Sequence, residues 1–166
     1  MTWFSTSNTG HSFEHHSGGT YRNLAEVEII KDLLNRLQFA ADTQEKVFDV
    51  AVMSGYSGQV DAMRHAFAGL APNLTKLRIE VNTVDTYQGR EADIAIYSIT
   101  RSNKEKRIGF LKETERINVA LSRGKDLLCI VGDSEFCRSI VSENPFQEIL
   151  SYIEDSPDCE IVGEPV

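Results

Sequence analysis

The sequence has few long apolar runs and few cysteines, and it lacks the common signatures of a self-contained catalyst. Its longest unbroken apolar stretch is Leu127 to Val131, five residues, whereas a membrane helix needs about 20. The first residues are rich in Ser, Thr, His and Gly and hold no continuous apolar stretch, so they do not read as a secretory signal. Cys129, Cys137 and Cys159 cannot all pair with one another, and no CxxC occurs. A reduced, cytoplasmic protein is the expectation. A phosphate-cradling loop needs G-x-x-x-x-G-K-[ST]. The nearest approach is Gly124-Lys125, where Val119 and Asp126 occupy the other defining places. There is no GxGxxG, no GxSxG, no HExxH and no zinc-spaced cysteine set. No complete nucleotide-hydrolysing site and no metal-ligand set is legible.

What is present is ordinary for a globular domain: 166 residues, 41% hydrophobic and 25% charged. That excludes collagen, a mucin stalk and wholesale disorder, and one domain spanning residues 1–166 is expected. Lys and Arg number 17 against 25 Asp and Glu, a net charge of −8, which excludes a uniformly basic nucleic-acid coat. The total hides a gradient. Arg101 to Lys125 carries eight Lys/Arg and three Glu, a net of +5, while Asp133 to Val166 carries nine acids and only Arg138. Such runs serve as solvated faces or as local contact surfaces for charged partners.

Along the chain, Trp3-Phe4 gives a short apolar start. A Ser/His/Gly-rich stretch to Thr20 reads as a loop, with His11, Glu14, His15 and His16 solvated. Asn23 opens a helix in the cap role, with Glu26 three residues later as in a capping box. Leu24, Val27, Ile30, Leu34 and Leu37 follow at helical spacing. Val50 to Met53 reads as a buried strand, Gln59 to Phe67 as a helix, and Leu77 to Val81 and Ile94 to Ile99 as strands. Leu127 to Val131 is the most apolar strand, and two helical segments, around Glu135 to Val141 and Pro145 to Ile153, close the chain. Alternating strands and helices predict an α/β fold: a doubly wound, mainly parallel sheet with helices on both faces. In such sheets ligands bind beyond the carboxyl ends of the strands.

Two segments carry candidate chemistry. Val81 to Asp93 links two strands. In it Gly89 lets the backbone approach a bulky anion, Thr83, Arg90 and backbone N–H groups can donate to phosphate oxygens, and Glu91 can accept from a ribose hydroxyl. A turn with a solvated charge pair would look the same. Arg116 to Lys125 places Arg123 just beyond a short helix anchored by Val119, Ala120 and Leu121. A rigidly held arginine can stabilise charge on a transferring phosphoryl group, or it can simply complement a helix C-terminal dipole.

Together the string TVDTYQGREADIAIYSITRSNKEKRIGFLKETERINVALSRGKDLLCIVGD resembles the second, C-terminal motor domain of superfamily 1 helicases, in particular the group of the nonsense-mediated-decay helicase and the replication helicase–nuclease. Gln88-Gly89-Arg90-Glu91 is similar to motif V of that group, Asn118 to Arg123 to motif VI, and Val50 to Gln59 to motif IV. Asn23 and Glu26 match an Asn-x-x-Glu helix start. The resemblance covers about residues 20 to 153 and implies a RecA-like fold. It implies nucleotide contacts at Gln88, Gly89, Arg90 and Glu91, with Glu91 toward the sugar. Arg123 would be an arginine finger on the γ-phosphate, and Thr83, Tyr56 and the basic stretch from Arg101 would lie near a DNA or RNA single strand. Gly55 stands where the group commonly has Pro, and Gly124 where it has Ala; Gly124 is expected to loosen its helix.

The resemblance further implies ATP and Mg²⁺ as cofactors, with the P-loop, the Mg²⁺-binding acid and the γ-phosphate-sensing Gln on a first motor domain of the same protein. This chain, a piece of that larger assembly, is then inactive alone and monomeric, with no membrane partner. A non-catalytic nucleotide-binding or protein-interaction module of the same fold is the alternative.

Overall fold

A computed structural model describes residues 1–163 except 11, 88 and 143, and only the backbone of Phe110. Six strands form one sheet: β1 (Thr2–Ser5), β4 (Phe48–Ser54), β5 (Leu77–Thr83), β6 (Ala92–Ser98), β7 (Gly124–Gly132) and β8 (Glu160–Val162). Their order is β5-β4-β6-β7-β1-β8, and every neighbouring pair runs parallel. The expected α/β, RecA-like arrangement is therefore what the chain adopts. Two further strands, β2 (His15–Ser17) and β3 (Thr20–Arg22), form a separate antiparallel hairpin.

The central strands follow from their sequences. Parallel strands covered on both faces read as nearly continuous apolar runs, and β4 and β6 do. Alternate residues feed two cores. Val50, Val52, Ile94 and Ile96 pack with Val27, Ile30 and Leu34 of α1 (Leu24–Gln44) and with Val60, Met63 and Phe67 of α2 (Ser57–Ala68). Ala51, Met53, Ala95 and Tyr97 pack on the opposite face with α3 (Thr114–Leu121), α4 (Ser134–Ser139) and α5 (Pro145–Asp155), through Ile117, Phe136 and Phe146. Among the described residues no helix is long and apolar enough to cross a membrane.

Four local expectations are corrected. First, Met1 to Thr20 is not an apolar start followed by a loop. Trp3 is fully buried, its indole N–H donates to Gly132 O at 2.9 Å, and β1 lies inside the sheet between β7 and β8. Second, the capping box is half made. The Asn23 side chain accepts from Glu26 N, but Glu26 does not reach back to Asn23. Asn23 N donates instead to Gln59 Oε1 at 2.7 Å, and Gln59 Nε2 returns a bond to Asn23 O at 3.1 Å. Third, Gly124 belongs to no helix. It opens β7, where a Cβ would meet Leu127 O at 2.4 Å and the Ala95 Cβ at 3.1 Å. Only glycine fits beside that register shift in the β6–β7 ladder. Fourth, Glu14 is not solvated. Its side chain is 8% exposed and it pairs with Arg101.

Candidate functional site

The residues singled out by motif divide between the two ends of the sheet. Strands β4, β5, β6 and β7 all start at one edge, so Arg123, just before β7, and Gly89 to Glu91, just before β6, meet at the amino-terminal edge. This is opposite to the carboxyl-edge expectation. The reason is the β5–β6 connection. It descends the α3 face, anchored by buried Val84 and Tyr87 and by the Arg116–Asp85 pair at 3.4 Å.

At this edge Gly89 adopts φ +79°, a conformation that strains any residue with a Cβ, and its outer flank is open. Gln88 lies outside the described residues. Arg90 was expected to donate to phosphate. Its Nη1 and Nη2 instead each donate to one carboxylate oxygen of Glu80, and its guanidinium sits 4.8 Å from the Tyr87 ring centre. Glu91 is exposed and pairs with Lys125 at 3.6 Å. Asp49, Arg78, Glu80, Tyr87, Arg90 and Glu91 line an open pocket of about 440 Å³.

Arg123 is held by three bonds. Its Nε donates to Val119 O at 2.8 Å, Nη1 to Arg90 O at 3.1 Å and Nη2 to Ser122 Oγ at 3.1 Å. The first satisfies a last-turn carbonyl of α3. The second ties the arginine to the Gly89–Glu91 turn, and Ala92 N, at the start of β6, donates to Arg123 O at 3.0 Å. A guanidinium has five N–H donors, so two remain, on a half-buried side chain. Among the described residues no carboxylate pairs with it. A fixed, uncompensated cation beside an open glycine turn suits an incoming anion. Among the described residues no group of three or more His, Cys, Asp and Glu could hold a metal ion.

At the carboxyl-terminal edge the picture is different. Thr83 ends β5 half-exposed, its hydroxyl 2.9 Å from Thr86 Oγ1. Tyr56 and Arg101 are buried and bonded to each other, Arg101 Nη1 donating to Tyr56 Oη at 3.1 Å. Arg101 Nε donates to Glu14 Oε1 at 3.0 Å. Arg101 was expected to lie near a nucleic-acid strand. Its guanidinium is instead enclosed, because the amino-terminal segment folds over it. Burial pushes the Tyr56 hydroxyl pKa up, and the hydrogen bond from Arg101 opposes that. Gly109 makes room here: at φ +67°, its Cβ would fall 2.2 Å from Arg101 Nη1.

Sequence reading gave Glu26 only a helix-start role and missed that it is the centre of this edge. It is fully buried. Ser98 Oγ donates to Glu26 Oε2 at 2.5 Å, and Thr100 N donates to both carboxylate oxygens at 2.9 Å. Burial raises its pKa from 4.5 to about 8 against the lowering effect of those bonds, with Asp133 and Glu14 adding to the rise. The Glu26 carboxyl accepts from Thr100, which stands at φ +72°. Gln59 Nε2 joins in through Ser98 Oγ at 2.8 Å, which gives this motif IV glutamine a structural place. The sequence signal was the polar residue at a position that helical spacing assigns to the core side of α1.

A family profile described as an AAA domain matches residues 1–135. The probable helicase MAGATAMA 3 of Arabidopsis thaliana is 33% identical over 121 residues, 73% of this chain and 15% of the relative. The DNA polymerase alpha-associated DNA helicase A of Saccharomyces cerevisiae is 36% identical over 117 residues, 70% of this chain and 16% of the relative. The regulator of nonsense transcripts 1 homolog of Neurospora crassa is 36% identical over 137 residues, 80% of this chain and 12% of the relative. The chain thus spans less than a fifth of the length of these relatives. It belongs to the superfamily 1 helicase motor domains, in the group of the nonsense-mediated-decay and replication helicases.

Proposed function

We propose that this chain is the second motor domain of an ATP-driven helicase, supplying an arginine finger to an ATP cleft that a P-loop domain of the same protein completes. Arg123 carries the reading: its guanidinium is held by three bonds, keeps two N–H donors, faces no carboxylate among the described residues, and adjoins the Gly89 turn. In this role Gly89 leaves room for the nucleotide, Glu91 accepts from its sugar, and Arg123 stabilises charge developing on the γ-phosphate oxygens. Bound ATP with Mg²⁺ supplies the phosphoryl group and its charge neutralisation; the metal's ligands belong to the other domain. Arg90 acts here through its backbone carbonyl, which orients Arg123, rather than through its Glu80-bound head.

The same reading gives the carboxyl edge to single-stranded nucleic acid. Lys104, Lys106 and Arg107 are exposed on a turn whose backbone Asn103 holds from both sides, accepting from Arg107 N at 2.9 Å and donating to Arg107 O at 2.8 Å. The side chains therefore project from a fixed base, as phosphate contacts require.

The test is Arg123→Ala in a protein that also carries the P-loop domain. We expect kcat for ATP to fall about 10³-fold or more, with little change in thermal melting, because the side chain is only half-buried. An unchanged kcat would remove the finger role. A collapsed melt would assign Arg123 to α3 and β7 instead.

A further inference from the structure

The β2–β3 hairpin stands outside the main sheet, and neither the ATP-cleft assignment nor the basic turn requires it. It is nevertheless fixed with care. At its root Glu14 bonds Arg101, Ser102 N at 2.6 Å and the Asn103 amide at 3.1 Å. Thr20 Oγ1 accepts from Gly58 N at 3.0 Å, capping the start of α2, where Tyr56 at the N-cap gives no side-chain cap bond. A Cβ on Gly58 would come within 2.6 Å of Thr20 Cγ2 and 3.0 Å of Tyr21 O, so α2 is bare where the hairpin seats. The turn between the strands is Gly18-Gly19, both at positive φ, as a tight two-residue hairpin demands.

The two faces of the hairpin differ. His15, Ser17, Thr20 and Arg22 line a groove that Tyr21 also edges and that Glu28 and Asp61 share; its two carboxylates outnumber its one arginine, which disfavours a polyanion. On the other face His16 pairs with Tyr21, their ring centres 4.7 Å apart and tilted by 46°. Tyr21 also meets the Arg101 guanidinium at 4.1 Å and Tyr56 edge-on at 5.4 Å. Tyr56 and Arg101 are buried, Tyr21 is half-buried, and His16 is the exposed member of the cluster. The basic turn is tied to the same root through Glu14 and Asn103, and Lys104 lies 5.7 Å from the Phe13 ring centre.

A flat ring supported from within and open to solvent, beside projecting cations, matches how unpaired bases are held: stacked on aromatic side chains, with the backbone tracked by basic residues. We propose that His16 is a stacking platform for an unpaired base of single-stranded nucleic acid, with flanking phosphates on Lys104, Lys106 and Arg107. The proposal rests on the nucleic-acid part of the function above.

The experiment titrates the chain with a short oligothymidine carrying one 2-aminopurine, whose fluorescence is quenched on stacking. Three variants are compared: His16→Ala, His16→Phe, and Lys104→Ala/Lys106→Ala/Arg107→Ala. Wild type is expected to bind and quench. His16→Ala is expected to lose the quench and bind about tenfold more weakly, with unchanged melting because the ring is exposed. His16→Phe is expected to retain both. If His16→Ala binds and quenches like wild type while the triple variant weakens, the platform is overturned and the nucleic-acid reading stands. A His16→Phe that behaves like His16→Ala also overturns stacking. Absence of binding by the wild-type chain at low salt overturns both.

Discussion

Arg90 with Glu80 and Arg101 with Glu14 are both arginine–carboxylate pairs, yet they sit in opposite surroundings. The first joins residues ten apart at the amino-terminal edge, with side chains 51% and 38% exposed. The second joins residues 87 apart at the carboxyl-terminal edge, with side chains 7% and 8% exposed. Exposed pairs contribute little because water and salt screen them. A buried pair becomes indispensable once formed, since losing one partner strands the other charge out of water. The pair at the amino edge thus leaves its charges within reach of a second body, while the pair at the carboxyl edge is sealed around its own.

The sharpest way to break this contrast is to remove Glu14. Glu14→Ala leaves the Arg101 charge without a carboxylate, frees Ser102 N and detaches the hairpin root. We expect a loss of about 3–5 kcal/mol, measured by urea denaturation. A loss below about 1 kcal/mol would place this pair with the surface ones.

Next in size is Glu26. Its folded pKa of about 8 lies above the ordinary 4.5, so the folded state binds a proton that the unfolded state releases. The stabilisation from that neutral carboxyl is complete below about pH 4.5 and is lost as pH rises through about 8, with a slope of at most about 1.4 kcal/mol per unit. Stability measured between pH 5 and 9 should decline in the wild type and decline less in Glu26→Gln, whose neutral amide cannot ionise. Equal slopes would show that Glu26 is charged in the fold.

The smallest effect is expected at the amino edge. Glu80→Gln removes the carboxylate that holds Arg90, and it should shift melting less than either change above, with any shift vanishing in 1 M salt. A large, salt-resistant shift would mean that this edge is sealed as well.

These contrasts also show what the residue pattern reveals. β4, β6 and β7 were legible from the apolar runs at their centres, Val50 to Met53, Ile94 to Tyr97 and Leu127 to Val131, and β5 from the alternation of Leu77 to Val81. β1 was not: Thr2-Trp3-Phe4-Ser5 is four residues of mixed character, and it becomes a strand only because β7 and β8 flank it. β8, Glu-Ile-Val, carries even less signal. The hairpin had a readable mark in Gly18-Gly19, outweighed by the polar histidines and serines around it. In the site, Arg123 and the Gly89 turn were legible from local sequence. The partners that decide what each arginine does were not, because Glu14 lies 87 residues from Arg101 and no local pattern reports that distance.

The placement of β1 also constrains how the chain reaches its fold during synthesis. Thr2 aligns with Cys129 on one side and Glu160 on the other, so β1 has no seat until neighbours far later in the chain leave the ribosome. At roughly 5–20 residues per second, that wait is on the order of ten seconds. Throughout it Trp3 and Phe4 remain without their final cover, while α1, β4, α2, β5 and β6 can already assemble. β1, which precedes its partners in the chain, is among the last strands to be enclosed.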